Sequence, residues 1–316
     1  AALAVMAMAT SAMAQERVVN VYNWSDYIDD TILQEFTAET GIKVVYDVYD
    51  SNEVLETKLL AGGSGYDVVV PTATPFMARQ IEAGVYQKLD KSKLTNLGNM
   101  WDAVTERVAT FDPGNEYSVN YMWGTTGLGY NEKKVQDILG IETVDSWNVL
   151  FDPAMASKLA DCGIYVLDSP TDVVPTVLAY LGLDPNSTDS GDLAKAEQVL
   201  MSIRPYVRKF HSSEYISALA NGDICLAVGF SGDVFQARDR AAEADQGVAV
   251  GYAIPQEGAQ MWFDQMLIPV DSKNVAEAHE FINYIMRPEV AAKASNYVFY
   301  ANGNKASQEF LDPEVK

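Results

Sequence analysis

The sequence predicts an α/β protein of two lobes with a ligand cleft between them. Hydrophobic segments of strand length alternate with helical segments in two separate series, a pattern typical of mainly parallel sheets covered by helices. Extended segments at 117–130 and 248–254 separate the series and predict two strand crossings between the lobes. The length agrees with this division, because about 300 residues are more than one hydrophobic core usually serves.

The crossings divide the chain into discontinuous lobes. We expect residues 15–123 and 252–301 to form the first lobe, and residues 124–251 and 302–316 to form the second. Two such lobes, joined by two crossings, are expected to close on a ligand as a hinge does.

Local signals support the elements of the first lobe. A helix is predicted to begin near Asp29 and to end at Gly41, because glycine favours the left-handed conformation after a helix. Asp50 and Glu53 are predicted to form a capping box for the next helix. The other predicted elements are strands at 17–24, 42–49, 66–71 and 261–270, and helices at 275–286 and 288–296.

The second lobe repeats the alternation. Its predicted strands lie at 163–167 and 224–229, and its predicted helices lie at 146–151, after Pro170, at 192–209, at 213–220 and from Gly232 onwards. In open α/β sheets, ligands bind beyond the carboxyl ends of the strands. The segments at such ends are 24–26, 71–73, 168–172 and 230–233.

The first residues predict export. The apolar run AALAVMAMATSAMAQE contains Ala12-Met13-Ala14, a cleavage signature of small residues. We therefore expect residues 1–14 to be a partial signal peptide that is cleaved near Ala14. The run is too short to span a bilayer, so stable membrane insertion is not expected. The leader therefore predicts an exported protein.

The charge of the chain excludes one class of ligand. There are 44 acidic and 22 basic residues, and the net charge is −22. Nucleic-acid binding needs lysine and arginine to displace counterions, so it is not expected. An acidic protein instead raises the local concentration of a cationic ligand.

Cysteine and histidine are scarce. In an oxidising compartment, the even count of two favours a disulfide between Cys162 and Cys225. Each also begins a predicted strand of the second lobe, so pairing of the two strands would bring them within bridging distance. His211 and His279 are too few and too far apart for a histidine metal site, and we expect no metal and no cofactor.

The segment QMWFDQMLIPV at 260–270 places an aromatic ring beside an acid. On a strand, Trp262 and Asp264 project from the same face. A cation satisfies both groups, since the ring face attracts positive charge and the carboxylate accepts N–H donors. An interior tryptophan beside a solvated aspartate is the alternative interpretation.

Several motifs resemble those of the periplasmic polyamine-binding proteins, the solute-binding components of ABC importers for putrescine and spermidine. The motifs are VYNWSDYI (21–28), YDVYDSNEVLETKLLAGGSGYDVVVP (46–71), MWGTTGLGYN (122–131), HSSEYISALANGDICLAVGFSGDVFQA (211–237) and NYVFYANGNKAS (296–307). The resemblance implies the type 2 periplasmic-binding fold, a polyamine ligand and a membrane permease as partner. We expect a monomer. Family members usually continue beyond the point that matches Lys316, so we expect a further C-terminal segment.

The resemblance also implies a set of ligand-binding residues, carried over by position: Trp24, Ser25, Asp26, Thr72, Asp172, Ser212, Phe230, Asp233, Trp262, Asp264 and Tyr300. Asp233 and Asp264 would hold the ammonium groups, and Trp262 and Tyr300 would form aromatic walls. Structural alternatives exist for four of the residues. Asp172 and Asp233 suit the first turn of a helix, Ser212 suits a helix cap, and Tyr300 suits a core.

The preferred polyamine follows from two positions. In this family, a tryptophan at position 262 and an acid at position 233 accompany spermidine, so spermidine is expected over putrescine. Ser169, which is uncharged, and Phe230, which is smaller than the usual tryptophan, argue in the other direction.

Two other functions remain open from the sequence. Asp233 and Asp264 could serve a carboxylate-dependent hydrolase, although no G-x-S-x-G nucleophile elbow is present. The same fold could also bind another amine, a sugar or a metal.

Overall fold

The computed structural model describes residues 16–316, so the predicted signal peptide and its cleavage site lie outside the described residues. The strands are β1 (Val18–Trp24), β2 (Lys43–Tyr49), β3 (Val68–Val69), β4 (Ser118–Asn131), β5 (Ile164–Val166), β6 (Lys209–Phe210), β7 (Leu226–Phe230), β8 (Val250–Ala253), β9 (Gln260–Leu267) and β10 (Ala301–Asn302). The helices are α1 (Asp30–Thr40), α2 (Asn52–Leu60), α3 (Ala78–Glu82), α4 (Asp102–Val108), α5 (Glu132–Leu139), α6 (Asn148–Phe151), α7 (Pro153–Leu159), α8 (Pro170–Tyr180), α9 (Ser190–Ile203), α10 (Tyr215–Ala220), α11 (Ser231–Ala244), α12 (Val275–Ile285) and α13 (Pro288–Val298). Within 16–316, no helix combines the length and the apolar character needed to cross a bilayer.

One long strand connects the two halves of the molecule. The predicted extended segments at 117–130 form the single strand β4, which has 14 residues. β4 pairs antiparallel with β9 from Ser118 to Thr126, and then with β7 from Thr126 to Tyr130. The main path of the ten-stranded sheet is β2-β1-β3-β9-β4-β7-β5-β6, with β8 and β10 also paired to β4. The α/β fold expected from the sequence is thus confirmed. The sheet is mixed and not mainly parallel as expected, because β4 pairs antiparallel with β7, β8 and β9.

Hydrophobic side chains are buried in separate regions on either side of this strand. In the first lobe, one cluster packs α1, α12 and α13 on one face of the sheet, and another cluster covers the opposite face. The second lobe has its own cluster, which includes the fully buried Trp147 and Tyr215. Each lobe therefore has its own hydrophobic core, and a cavity lies between the two.

The last segment packs differently from the expectation. Residues 302–316 were predicted in the second lobe. However, Asn302 donates to the Ala291 carbonyl of α13 (3.3 Å), and Asn304 donates to the Met286 carbonyl (2.7 Å). These contacts attach the start of the segment to the first lobe. The other lobe boundaries stay a prediction.

The helix ends follow local chemistry, with one correction. Asp29 caps α1, and Gly41 ends it with a φ of 69°, both as predicted. The predicted N-cap of α2, Asp50, is wrong, because the Ser51 side chain accepts the Val54 N–H (3.3 Å). Asp50 instead accepts a hydrogen bond from Ser25 Oγ (2.8 Å), which turns its carboxylate towards the loop after β1.

The predicted disulfide is confirmed. Strands β5 and β7 are parallel neighbours, with Ile164 opposite Leu226. Cys162 and Cys225 precede these strands and are bonded, with their Cα atoms 5.5 Å apart. The bond closes a long loop in the second lobe.

We expect the double variant Cys162→Ala/Cys225→Ala to lose about 4 kcal/mol of unfolding free energy, because a loop of this length restricts the unfolded chain. The two cysteines are separated by 63 positions. Urea unfolding with and without reductant measures the effect. Reductant should destabilise the unsubstituted protein and leave the double variant unchanged; equal stability of both proteins without reductant would contradict the expectation.

Candidate functional site

A cavity lies where the two lobes meet, beyond the carboxyl ends of the strands. It encloses about 490 Å³ of space, part of it open to solvent. Ten of the eleven predicted ligand-binding residues line it: Trp24, Ser25, Thr72, Asp172, Ser212, Phe230, Asp233, Trp262, Asp264 and Tyr300. The cavity therefore collects residues that are more than 270 positions apart in the chain. Their roles as ligand contacts remain predictions.

Asp264 provides one buried carboxylate on β9. Its side chain accepts hydrogen bonds from Thr72 Oγ1 (2.7 Å) and from the Tyr27 hydroxyl (2.8 Å). Asn52 Nδ2 in turn donates to Thr72 Oγ1 (2.9 Å), which orients the threonine hydroxyl. Burial raises the pKa of Asp264 to about 7, although both hydroxyl donors favour the ionised form.

Asp233 provides a second buried carboxylate in the first turn of α11. It accepts hydrogen bonds from the hydroxyls of Tyr215 and Tyr300, each at 2.6 Å. Burial raises the pKa of Asp233 to about 6. Burial also raises the pKa of Tyr300 well above its ordinary value, so this hydroxyl stays protonated and donates.

Asp172 provides a third carboxylate in the first turn of α8. Ser169 Oγ donates to Oδ2 (2.6 Å), and Thr126 Oγ1 is 3.4 Å from Oδ1. Desolvation by burial raises the pKa of Asp172 to about 6. All three carboxylates are thus desolvated and held in place by neutral hydroxyl groups, and no lysine or arginine is among the described residues that line the cavity.

Aromatic rings form a continuous wall beside the carboxylates. The Phe230 ring lies 5.6 Å from Trp262 and 6.4 Å from Trp24, both edge to face. Tyr300 follows Trp262 at 5.3 Å between ring centroids. The face of such rings attracts cations, and their carbon surface covers methylene groups.

Two glycines make room for this wall. A Cβ atom on Gly124 would lie 2.8 Å from the Trp262 ring, and one on Gly232 would lie 2.4 Å from the Tyr300 ring. A side chain at either position would displace an aromatic wall. Gly124 of the motif MWGTTG and Gly232 of the motif FSGD are therefore steric requirements of the site.

Two polar groups at the cavity have no partner. The Ser212 hydroxyl and the Trp262 Nε1–H are buried and make no hydrogen bond among the described residues. The Ser212 hydroxyl can accept a hydrogen bond from a donor in the cavity, whereas the Trp262 Nε1–H is a donor only and cannot pair with an ammonium group.

Asp26 differs from the expectation, because it does not line the cavity. Its backbone is left-handed, with a φ of 53°, and its carboxylate accepts a hydrogen bond from Arg240 of α11 (2.9 Å). The side chain of Asp26 is 45% exposed, so this pair contacts water. Asp26 therefore links the loop after β1 to the second lobe.

Five lining residues were not predicted as ligand-binding: Tyr27, Tyr49, Asp50, Asn52 and Ser213. Tyr49 ends β2 just as Trp24 ends β1, so the rule that ligands bind at the carboxyl ends of strands could have found it. Asp50 and Asn52 come just after Tyr49 in the chain, so the same rule could have found them. Tyr27 has no comparable local signal, because its importance comes from the contact with Asp264.

The chemistry of the lining bears on the class of ligand. No group of three or more potential metal ligands occurs within the described part of the chain. An anion would face four carboxylates, those of Asp50, Asp172, Asp233 and Asp264, without a positive side chain. The arrangement instead suits a molecule with positive ends and an aliphatic body.

Several known proteins have sequences or structures similar to this chain. The chain is 52% identical over 304 residues to the putrescine-binding periplasmic protein SpuD of Pseudomonas aeruginosa, covering 96% of this chain and 83% of the relative. It is 51% identical over 316 residues to the putrescine-binding periplasmic protein PotF of Escherichia coli, covering 99% of this chain and 85% of the relative. The structure of the spermidine/putrescine ABC transporter substrate-binding protein PotD from Streptococcus pneumoniae matches with a TM-score of 0.75 and 31% identity, covering 95% of this chain and 87% of that chain.

The family model for bacterial extracellular solute-binding proteins matches residues 31–316. These proteins are transport components without enzymatic activity, so the carboxylate-dependent hydrolase considered from the sequence is excluded. By this match, the chain belongs to the bacterial extracellular solute-binding protein family.

Proposed function

We propose that this protein binds a linear aliphatic polyamine in the periplasm and delivers it to the membrane permease of an ABC importer, with putrescine as the preferred ligand. The observation that carries the proposal is a cavity with three desolvated carboxylates, an aromatic wall and no lysine or arginine among its described lining residues. The putrescine ligand named for two relatives with 51% and 52% identity supports it.

The carboxylates retain capacity for ligand ammonium groups. Each oxygen of Asp264 accepts one hydroxyl hydrogen bond, and a carboxylate oxygen has two acceptor sites. Each oxygen of Asp233 likewise accepts one hydroxyl hydrogen bond and keeps one free acceptor site. An ammonium group can therefore add a charge-assisted hydrogen bond without displacing the tyrosine or threonine donors. The methylene groups between the ammonium groups would lie against the rings of Trp24, Phe230 and Trp262.

Two observations on the preferred polyamine disagree: the residues at two positions of the site, and the names of similar proteins. Spermidine was expected from Trp262 and Asp233, but the relatives at 51% and 52% identity are putrescine-binding proteins, so they do not support that expectation. We give more weight to similarity over the whole chain and propose putrescine. Spermidine is the second candidate, because the third carboxylate, Asp172, could pair with its third ammonium group.

Substitution of Asp264 tests polyamine binding. We expect Asp264→Asn to weaken putrescine binding by tens-fold or more, because removing one partner of a desolvated charge pair costs about 2–5 kcal/mol. Calorimetry measures the dissociation constant, and circular dichroism checks that the fold persists. Asp137→Asn, on the exposed surface of α5, is the matched control and should bind as the unsubstituted protein does. An unchanged constant for Asp264→Asn, or binding of maltose in place of amines, would exclude the proposal.

The raised pKa values predict a pH dependence of binding. Without ligand, Asp264 has a pKa of about 7, and Asp172 and Asp233 have pKa values of about 6. An ammonium ligand binds the ionised forms and stays charged throughout this range, because amines titrate near pH 10. Each protonated carboxyl must therefore release its proton on binding.

Putrescine affinity should accordingly be highest near pH 8 and should fall as the pH is lowered through 7 and 6, by up to tenfold per pH unit for each protonated carboxyl. Calorimetry at pH 5, 6, 7 and 8 measures this. In Asp264→Asn, the decrease between pH 8 and 7 should be smaller, since the group that titrates highest is gone. An affinity independent of pH over this range would contradict the proposed ion pairs.

Competition between putrescine and spermidine tests the preference. We expect putrescine to displace spermidine from the unsubstituted protein at equal concentration. Trp262→Phe should increase the preference for putrescine, because a smaller ring covers less of the longer spermidine chain. Phe299→Leu, outside the cavity lining, is the control. Tighter binding of spermidine would replace our proposal with the second candidate, without affecting polyamine binding itself.

A further inference from the structure

A second cavity lies in the first lobe, on the other side of β9 from the candidate site. It contains about 620 Å³ of space, part of it open to solvent. Most of its wall is apolar and includes Leu89, Leu94, Met100, Val108 and Val119. Asp264 lines the first cavity and its neighbour Gln265 lines the second, because successive side chains of a strand point to opposite faces.

Two side-chain amides face each other at this cavity. Asn120 of β4 and Gln265 of β9 are directly opposite in the strand pairing, and they are 5% and 0% exposed. Oδ1 of Asn120 and both polar atoms of Gln265 have no hydrogen-bond partner among the described residues. Leaving a buried donor or acceptor unpaired is unfavourable, so an occupant that pairs with them would be stabilised.

The other polar side chains of the lining are already paired. Ser118 Oγ donates to Asp112 (2.8 Å), and Lys91 Nζ donates to the Gly114 carbonyl (2.8 Å). Asn115 Nδ2 donates to the Thr105 carbonyl (3.1 Å). The free hydrogen-bonding groups are therefore two amide oxygens and one amide nitrogen, all uncharged. An ammonium group here would find no carboxylate among the lining residues, which disfavours a polyamine.

We propose that this cavity binds a small aliphatic primary amide. The ligand carbonyl would accept a hydrogen bond from Gln265 Nε2, and the ligand NH₂ group would donate to Gln265 Oε1. These two bonds pair both polar atoms of the Gln265 side chain with no charge buried. Asn120 Oδ1 lies against the backbone of Gly303, outside the lining, so it has no part in the proposed contact. The alkyl chain would pack against Leu89, Leu94 and Val119. The site is separate from the proposed polyamine site and does not depend on it.

Titration with valeramide, a five-carbon primary amide, tests the proposal on the full chain. Methyl NMR should show saturable shifts of Leu89, Leu94 and Val119, with the same affinity in Asp264→Asn. Gln265→Met keeps the side-chain length without the amide and should weaken binding at least tenfold. Gln136→Met, on the exposed surface of α5, should leave it unchanged. Valerate and pentylammonium, which carry charges, should not shift these methyl groups.

Absence of saturable shifts up to the solubility limit, or unchanged binding in Gln265→Met, would overturn the proposal. Should Gln265→Met fail to fold, a crystal structure of the unsubstituted protein soaked in valeramide decides. An amide paired with Gln265 supports the site, whereas water alone at this side chain overturns it.

Discussion

The burial of acidic groups between the lobes is the constraint on which the rest of the structure depends. Asp233 and Asp264 are 8% and 3% exposed, and burial opposes their ionised forms. The hydroxyls of Tyr27, Tyr215 and Thr72 favour ionisation but supply no compensating charge. Each of these carboxyl groups is therefore stabilised either by a bound proton or by a nearby cation, and the proposed polyamine binding depends on the second.

The scaffold maintains this balance by holding the acids on rigid elements. Asp264 lies on β9, which pairs with the long strand β4, and Asp233 lies in the first turn of α11. Tyr300 connects α11 to β9, since its hydroxyl donates to Asp233 and its ring packs on Trp262. Any movement of one lobe relative to the other would therefore change the surroundings of both carboxylates.

Two further contacts suggest how the lobes are held together around the site. Arg240 of α11 pairs with Asp26, and Gln236 Nε2 lies 3.3 Å from the Val298 carbonyl. Both contacts join α11 to the first lobe. The Asp26–Arg240 pair is exposed to water, so its own contribution to stability is small, about 1 kcal/mol or less. A weak link of this kind permits opening, whereas a buried ion pair would resist it.

The sequence by itself determined the features that depend on local spacing. Strand–helix alternation predicted the α/β fold, Asp29 and Gly41 predicted the ends of α1, and period two placed Trp262 and Asp264 on one face. The family resemblance added most of the cavity lining, because its motifs span nearly the whole chain.

The partners of individual side chains could not be obtained in this way. Asp26 turns to Arg240, Asp50 turns to Ser25, and Tyr27 reaches Asp264. Only the tertiary structure decides these pairings, since each joins segments that are distant in sequence and depends on how the lobes and loops pack.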